Sequence, residues 1–314
     1  MKIKDICDLA IQMGIESDLR GRVEVEKFLA YKNKKYKDLS EDKKELFDME
    51  SLSNPYSDSR VLNISQDKNI KKILVGIDIE PCELLIAREI GDIDLVISHH
   101  PLGMALANLH EVMEMQCEIL SRYGVPINIA EKLTREKISE VARGLNKTNY
   151  QRTVDAAKLL NLNLMCLHTP CDNLAASFLE KEMENKKPER LSQILDILLD
   201  IPEYKMAAKQ GAGPNIFVGN PDNKCGKIVL TEITGGTEGS PKIYEKMAQA
   251  GVGTVIGMHI SEEHKQEAET SLINVIIAGH MSSDSLGVNL FLDQLEKNGV
   301  QSIICSGLTR VSRK

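Results

Sequence analysis

The sequence has no tryptophan, and aromatic residues make up only 4% of its 314 positions. It also has no CxxC pair. Its seven cysteines, Cys7, Cys82, Cys117, Cys166, Cys171, Cys225 and Cys305, are odd in number and scattered. That argues against a disulfide framework and against a thiolate zinc site. Most of them read as small buried hydrophobes in a reducing cytosol, so a cytoplasmic location is expected. No run approaches the ~20 apolar residues needed to span a bilayer. The opening MKIKDICDLAIQMG is a poor signal peptide, because Asp5 and Asp8 interrupt it. A surplus of basic charge is missing too: the formal net charge is -7. That argues against nucleic acid as the main partner, since phosphate backbones bind basic faces. A small phosphorylated ligand stays compatible, because it needs only a local positive site such as a metal.

What is present is a patterned apolar fraction of 42%. At ~100–200 residues per domain, the length suggests about two domains. The first residues read as an amphipathic helix with Ile3, Ile6, Leu9, Ala10 and Met13 on one face. Residues 1–70 as a whole read as a polar, helical N-terminal extension of accessory character. The lysine-rich stretch Lys32 to Lys44 reads as its solvated face.

From Lys71 the texture changes. KILVGIDIE is a run of β-formers as expected of a strand buried on both sides. The helix CELLIAREIG follows and ends at Gly91. The strand IDLVIS then stops at His99-His100-Pro101. This strand–helix–strand order is the building block of a parallel sheet. Further on, the pattern predicts a helix over 110–123, a strand from Val125 to Ile129, helices over 131–147 and 151–160, and a strand from Leu164 to Leu167. Helices over 173–187 and 191–199 precede a break at Gly211 to Pro214. The alternation then resumes with strands IFVG, KIVLTEI, GTVIGMH, INVIIAGH and QSIICSG, and helices over 241–250, 262–270 and 284–297. The fold class is therefore α/β. Two α/β lobes with largely parallel or mixed sheets flanked by helices cover 71–200 and 201–314, with the boundary near 190–215.

Three buried strands end abruptly in metal-ligand residue types: LVISHH, MCLHTPCD and VIIAGHMSSD. Ligands in parallel α/β sheets bind outside the carboxyl ends of strands, so such ends can converge. His259 ends a fourth strand in the same way. Each residue alone has a plainer reading, the histidines as hydrogen-bonding residues and Asp172 or Asp284 as helix N-caps. However, His168-x-x-x-Asp172 and His280-x-x-x-Asp284 put both members on one helical face. Nitrogen and oxygen donors without thiolate suit zinc, iron or manganese. Cys171, beside Asp172, reads either as buried packing or as lining of the same cavity. The loop Gly235-Gly236-Thr237-Glu238-Gly239-Ser240 precedes a helix and could bring backbone N–H groups to a phosphate.

The ordered motifs KILVGID, SHHP, HTPCD, ITGGTEG and AGH with an acid four residues on resemble the NIF-three-like family of dinuclear metal proteins, also known as GTP cyclohydrolase I type 2 homologues. The resemblance covers residues 70 to 314. It implies two divalent metal ions held by His99, His100, Asp172, His280 and Asp284. It also implies a ring-shaped hexamer made of dimers, with sites facing an inner cavity. The chain departs from the family in four places. Asp284 stands where a glutamate is usual. The Trp-Asp-Asn opening is absent, and an extra helical stretch covers about 131–160. There is also little room for the domain that larger members insert between the halves. The function these residues suggest is a metal-dependent hydrolase acting on a phosphorylated or nucleotide-like small molecule. Water would be the nucleophile, His168 a supporting residue or proton shuttle, and Gly235, Gly236 and Thr237 substrate contacts. The alternative is a non-catalytic, metal-binding oligomeric scaffold or regulatory protein. Nothing in the chain reads as guanine recognition, so GTP cyclohydrolase activity itself carries little weight.

Overall fold

The apolar run beginning at Lys72 forms the middle of a sheet, because it has no polar face to give to solvent. In the computed structural model, which describes residues 1–313, Lys72–Gly76 (β2) pairs in parallel with Leu95–Ser98 (β3) and with Gln301–Cys305 (β9). Leu164–Cys166 (β4) pairs in parallel with β3. Arg60–Asn63 (β1) closes the edge antiparallel to β4, giving the order β1-β4-β3-β2-β9. The second sheet repeats the plan. Asn215–Val218 (β5) is an antiparallel edge strand on Asn274–Ile277 (β8). Val252–Gly257 (β7) and Lys227–Glu232 (β6) continue it in parallel, in the order β5-β8-β7-β6. The chain is thus an α/β protein with two mixed sheets and a helical N-terminal region. The four-stranded sheet draws only on residues 215–277, and β9 returns to the first sheet. The second half of the chain therefore contributes to both.

Several local expectations change. Residues 1–70 contain β1 as well as helices, and part of their apolar surface joins the core. Helix Ile3–Glu16 buries Ile3, Ile6, Cys7, Ala10, Ile11 and Ile15. At Gly14 a Cβ would stand 2.7 Å from the Pro170 Cα, so the helix lies flush on helix Thr169–Lys186. A buried hydrogen-bonded chain fastens this region to the rest. The Asp18 carboxylate accepts from Tyr56 Oη at 2.9 Å and from Asn173 Nδ2 at 3.3 Å. Asn173 Oδ1 accepts in turn from Thr234 at 2.7 Å. The expected strand from Val125 to Ile129 is absent. Pro126, with φ −56°, instead starts helix Ile127–Asn146. Its fixed φ suits a helix start, and it cannot donate to a ladder. The helix over 110–123 breaks into Leu109–Val112 and Met115–Arg122. A helix that the pattern did not signal, Pro202–Lys209, fills the stretch before Gly211.

The packing that positions everything else is the crossing of helices Thr169–Lys186 and His280–Lys297. At Gly287 a Cβ would fall on the Cys171 carbonyl, so the two backbones touch. In an open helix Gly→Ala gains about 1 kcal/mol of propensity. Here overpacking against backbone costs about 1–3 kcal/mol and should win. Gly287→Ala should therefore lower the denaturant midpoint of unfolding. A rise in the midpoint would show that the helices do not meet at this residue.

Candidate metal centre

Five strand ends supply the site. β3 runs into His99 and His100, whose N–H groups extend the ladder by donating to the Gly76 and Ile77 carbonyls at 2.9 Å each. β4 runs into His168, β8 into His280, β7 into His259 and β2 into Asp78. Both His-x-x-x-Asp pairs open helices. His168 is the N-cap of helix Thr169–Lys186, and His280 is the first residue of helix His280–Lys297. Asp172 lies in the first turn of its helix and Asp284 just beyond the first turn of the other, so neither is the N-cap residue. They point inward and are 4% and 1% exposed.

Three imidazoles are fixed by their Nδ1 atoms. His99 Nδ1 donates to the Leu167 carbonyl at 3.0 Å. His100 Nδ1 donates to Asp78 Oδ1 at 2.7 Å, and His168 Nδ1 to Asp58 Oδ2 at 2.8 Å. Carbonyls and carboxylates only accept, so the Nδ1 atoms carry the hydrogens and the Nε2 atoms are left to face the centre. There His99 Nε2 lies 3.3 Å from Asp172 Oδ1 and 3.5 Å from Asp284 Oδ1. Asp284 Oδ2 lies 3.4 Å from His100 Nε2 and 3.7 Å from His280 Nε2. Hydrogen bonds of this kind run at about 2.7–3.2 Å. Two atoms each ~2.0–2.2 Å from one tetrahedral ion stand roughly 3.3–3.6 Å apart. The observed spacings fit ligands sharing an ion better than ligands bonded to one another. The buried His99 Nε2, Asp172 Oδ1 and both Asp284 oxygens indeed have no hydrogen-bond partner.

The charges agree. Burial opposes a charge on His99, but Asp284 and Asp172 outweigh it and push its pKa well up. Asp284, buried as well, is pulled below the ordinary carboxylate range by His99 and His100. Burial pulls His280 down despite Asp284. Two buried carboxylates therefore demand positive charge at this spot, which a divalent cation would supply. Three sets of ligand atoms lie mutually within 4.8 Å: His99 with Asp172 and Asp284, His100 with His280 and Asp284, and His99 with His100 and His168.

The structure thus brings together all five residues expected to hold metal, with His168 beside them. Sequence reasoning missed Asp58 and Asp78, the carboxylates behind His168 and His100. Asp58 looks like an ordinary loop aspartate, whereas Asp78, ending the buried run KILVGID, carried the same strand-end signal as the histidines. His259 joins the edge of the cluster, its ring 5.2 Å from that of His280. Its Nδ1 hydrogen-bonds Glu238 at 3.3 Å, and this bond holds the Glu238 carboxyl down at about 2. Gly235 and Gly236 have φ of 101° and 92° and pack on the helices before β4. The Gly235 and Thr237 carbonyls accept from Gln116 Nε2 at 2.8 and 2.7 Å. The loop is thus tied to the helix Met115–Arg122 and reaches the cluster through Glu238.

Among known proteins, no family model and no curated sequence matches the chain. Among solved structures it is similar to a NIF3 superfamily protein from Sphaerobacter thermophilus. The identity is 28% over 98% of this chain and 99% of that one, with a TM-score of 0.78. It is also similar to reduced HcgD from Methanocaldococcus jannaschii, at 17% identity over 78% of this chain and 87% of that one, with a TM-score of 0.51. That second likeness is one of fold alone.

Cys171 is buried next to Asp172 and near His99. It can react only when this region opens locally, and a bound ion makes opening rarer by mass action. Alkylation of Cys171 should therefore slow as metal is added, while the exposed Cys82 reacts at one rate throughout. Labelled-peptide mass spectrometry would read this. Metal-independent labelling of Cys171 would separate it from the site.

Proposed function

We propose that this chain is a member of the NIF3 superfamily, like the Sphaerobacter thermophilus protein it resembles, and that it holds two divalent ions and uses them to hydrolyse a phosphorylated or nucleotide-like small molecule. The observation that carries the reading is the set of buried, unpartnered donor atoms on His99, Asp172 and Asp284. His99, Asp172 and Asp284 would take one ion, and His100, His280 and Asp284 the other. Imidazole and carboxylate suit zinc, iron or manganese. Bound there, divalent ions polarise a phosphoryl or carbonyl oxygen and make water a stronger nucleophile.

The protein's own part is positioning. His99, Asp172 and Asp284 form a dry floor. His100, His280 and His259 keep side-chain exposures of 23%, 41% and 38%, so substrate would arrive on their side. Asp78 holds the His100 ring toward its ion, and Glu238 holds the His259 ring at the open edge. The loop Gly235, Gly236 and Thr237 would take the distal part of such a substrate. The reading includes the assembly that the resemblance implies, a homo-oligomeric hexamer, and a cytosolic location. No helix among the described residues is long and apolar enough to cross a membrane.

Elemental analysis should find about two divalent ions per chain. Because Asp284 reaches both halves of the site, Asp284→Asn should bring this near zero, whereas His280→Ala should leave about one. Equal loss in the two variants would contradict the shared role of Asp284. A panel of phosphomonoesters, nucleotides and cyclic amides should show turnover that a chelator abolishes. Metal-loaded protein inert toward all of them would leave a binding scaffold as the better account.

A further inference from the structure

His168 is the one buried imidazole of the cluster that is left without an ion when His99, Asp172 and Asp284 take one and His100, His280 and Asp284 the other. Its surroundings are those of a ligand. The ring is buried, with its centroid 5.1 Å from that of His99 and 5.9 Å from that of His100. Its Nε2 stands 3.6 Å from Asp172 Oδ2, too far for a hydrogen bond and within the spacing shown by the other pairs. The cluster of His99, His100 and His168 brings three imidazoles within 4.8 Å ligand atom to ligand atom. The aim of the ring is set from behind. Asp58 is wholly buried, and its carboxylate accepts from His168 Nδ1 at 2.8 Å, from Thr169 Oγ1 at 2.6 Å and from Ser59 Oγ at 3.1 Å. The His168 N–H donates to Ser59 Oγ at 2.8 Å. A packing histidine needs no such clamp. A metal-binding one does, because a carboxylate on Nδ1 fixes the tautomer and raises the basicity of Nε2.

We propose that His168 is a sixth metal ligand, completing the site of His99 and Asp172, and that Asp58 of the N-terminal segment is its positioning residue. The proposal rests on the metal-binding reading above. It gives the N-terminal segment a role in the site, since Asp58 lies just before β1, far in sequence from the other ligands.

The test is Co²⁺ titration of metal-free protein, read by visible absorption and by competition with a chelator. Circular dichroism confirms that each variant is folded. His168→Gln should weaken one of two cobalt steps at least tenfold and change its visible spectrum. Asp58→Asn should weaken the same step by about 10–100-fold, the usual effect of removing such a carboxylate partner. If Asp58 served folding alone, Asp58→Asn would lower the melting temperature of the metal-free protein and leave the cobalt affinity and spectrum unchanged. If His168→Gln does not fold, Asp58→Asn decides. Wild-type protein that binds cobalt, with folded variants matching it within twofold and showing the same spectrum, overturns this proposal alone. Wild-type protein that binds no cobalt overturns the metal-binding reading and this proposal with it.

Discussion

The burial of two carboxylates, Asp172 and Asp284, at the crossing of two helices is the constraint on which the rest depends. An ionised carboxylate taken out of water costs several kcal/mol unless opposite charge and hydrogen bonds compensate. Here neither Asp172 Oδ1 nor either Asp284 oxygen has a hydrogen-bond partner. The compensation comes from imidazoles at four strand ends, and four of the rings are aimed from behind. Asp58, Asp78 and Glu238 each accept from one ring, and the Leu167 carbonyl accepts from another. The site is therefore a negatively charged floor under a roof of oriented histidines. That arrangement is costly for an empty protein and favourable for one that carries a divalent cation.

The fold supplies the closeness this requires. Gly287 lets helix His280–Lys297 touch the carbonyl of Cys171, one residue before Asp172. The first helix lies on the same segment through Gly14 and Pro170. Three elements far apart in the chain thus meet within a few residues of one ligand. Asp18, Tyr56, Asn173 and Thr234 join the N-terminal region, the start of helix Thr169–Lys186 and the glycine loop into one buried hydrogen-bonded chain. Such a network is stable only when every member is satisfied, so it fixes one arrangement of these segments.

Where the chain's own code was local, it could be read in one dimension. The strands of both sheets are visible as apolar runs, since a strand buried on both faces has no polar alternation. His99, His100, Asp172, His280 and Asp284 are visible because each follows such a run, and parallel strands deliver their carboxyl ends to one edge. The misreadings were local as well. Val125 to Ile129 has strand-like composition, but Pro126 makes it a helix start. The N-terminal residues look polar enough to be an appendage, yet one face of helix Ile3–Glu16 belongs to the core.

What the sequence alone determined is the class of fold and the chemical kind of its site, because both follow from residue type and from short-range periodicity. What only the tertiary structure decided is which groups stand behind the histidines. Asp58 is 110 positions from His168, and Asp78 is 22 positions from His100. No periodicity connects such pairs. Their meeting depends on the register of β1 against β4 and of β2 against β3, which is set by packing across the whole sheet and not by any one segment.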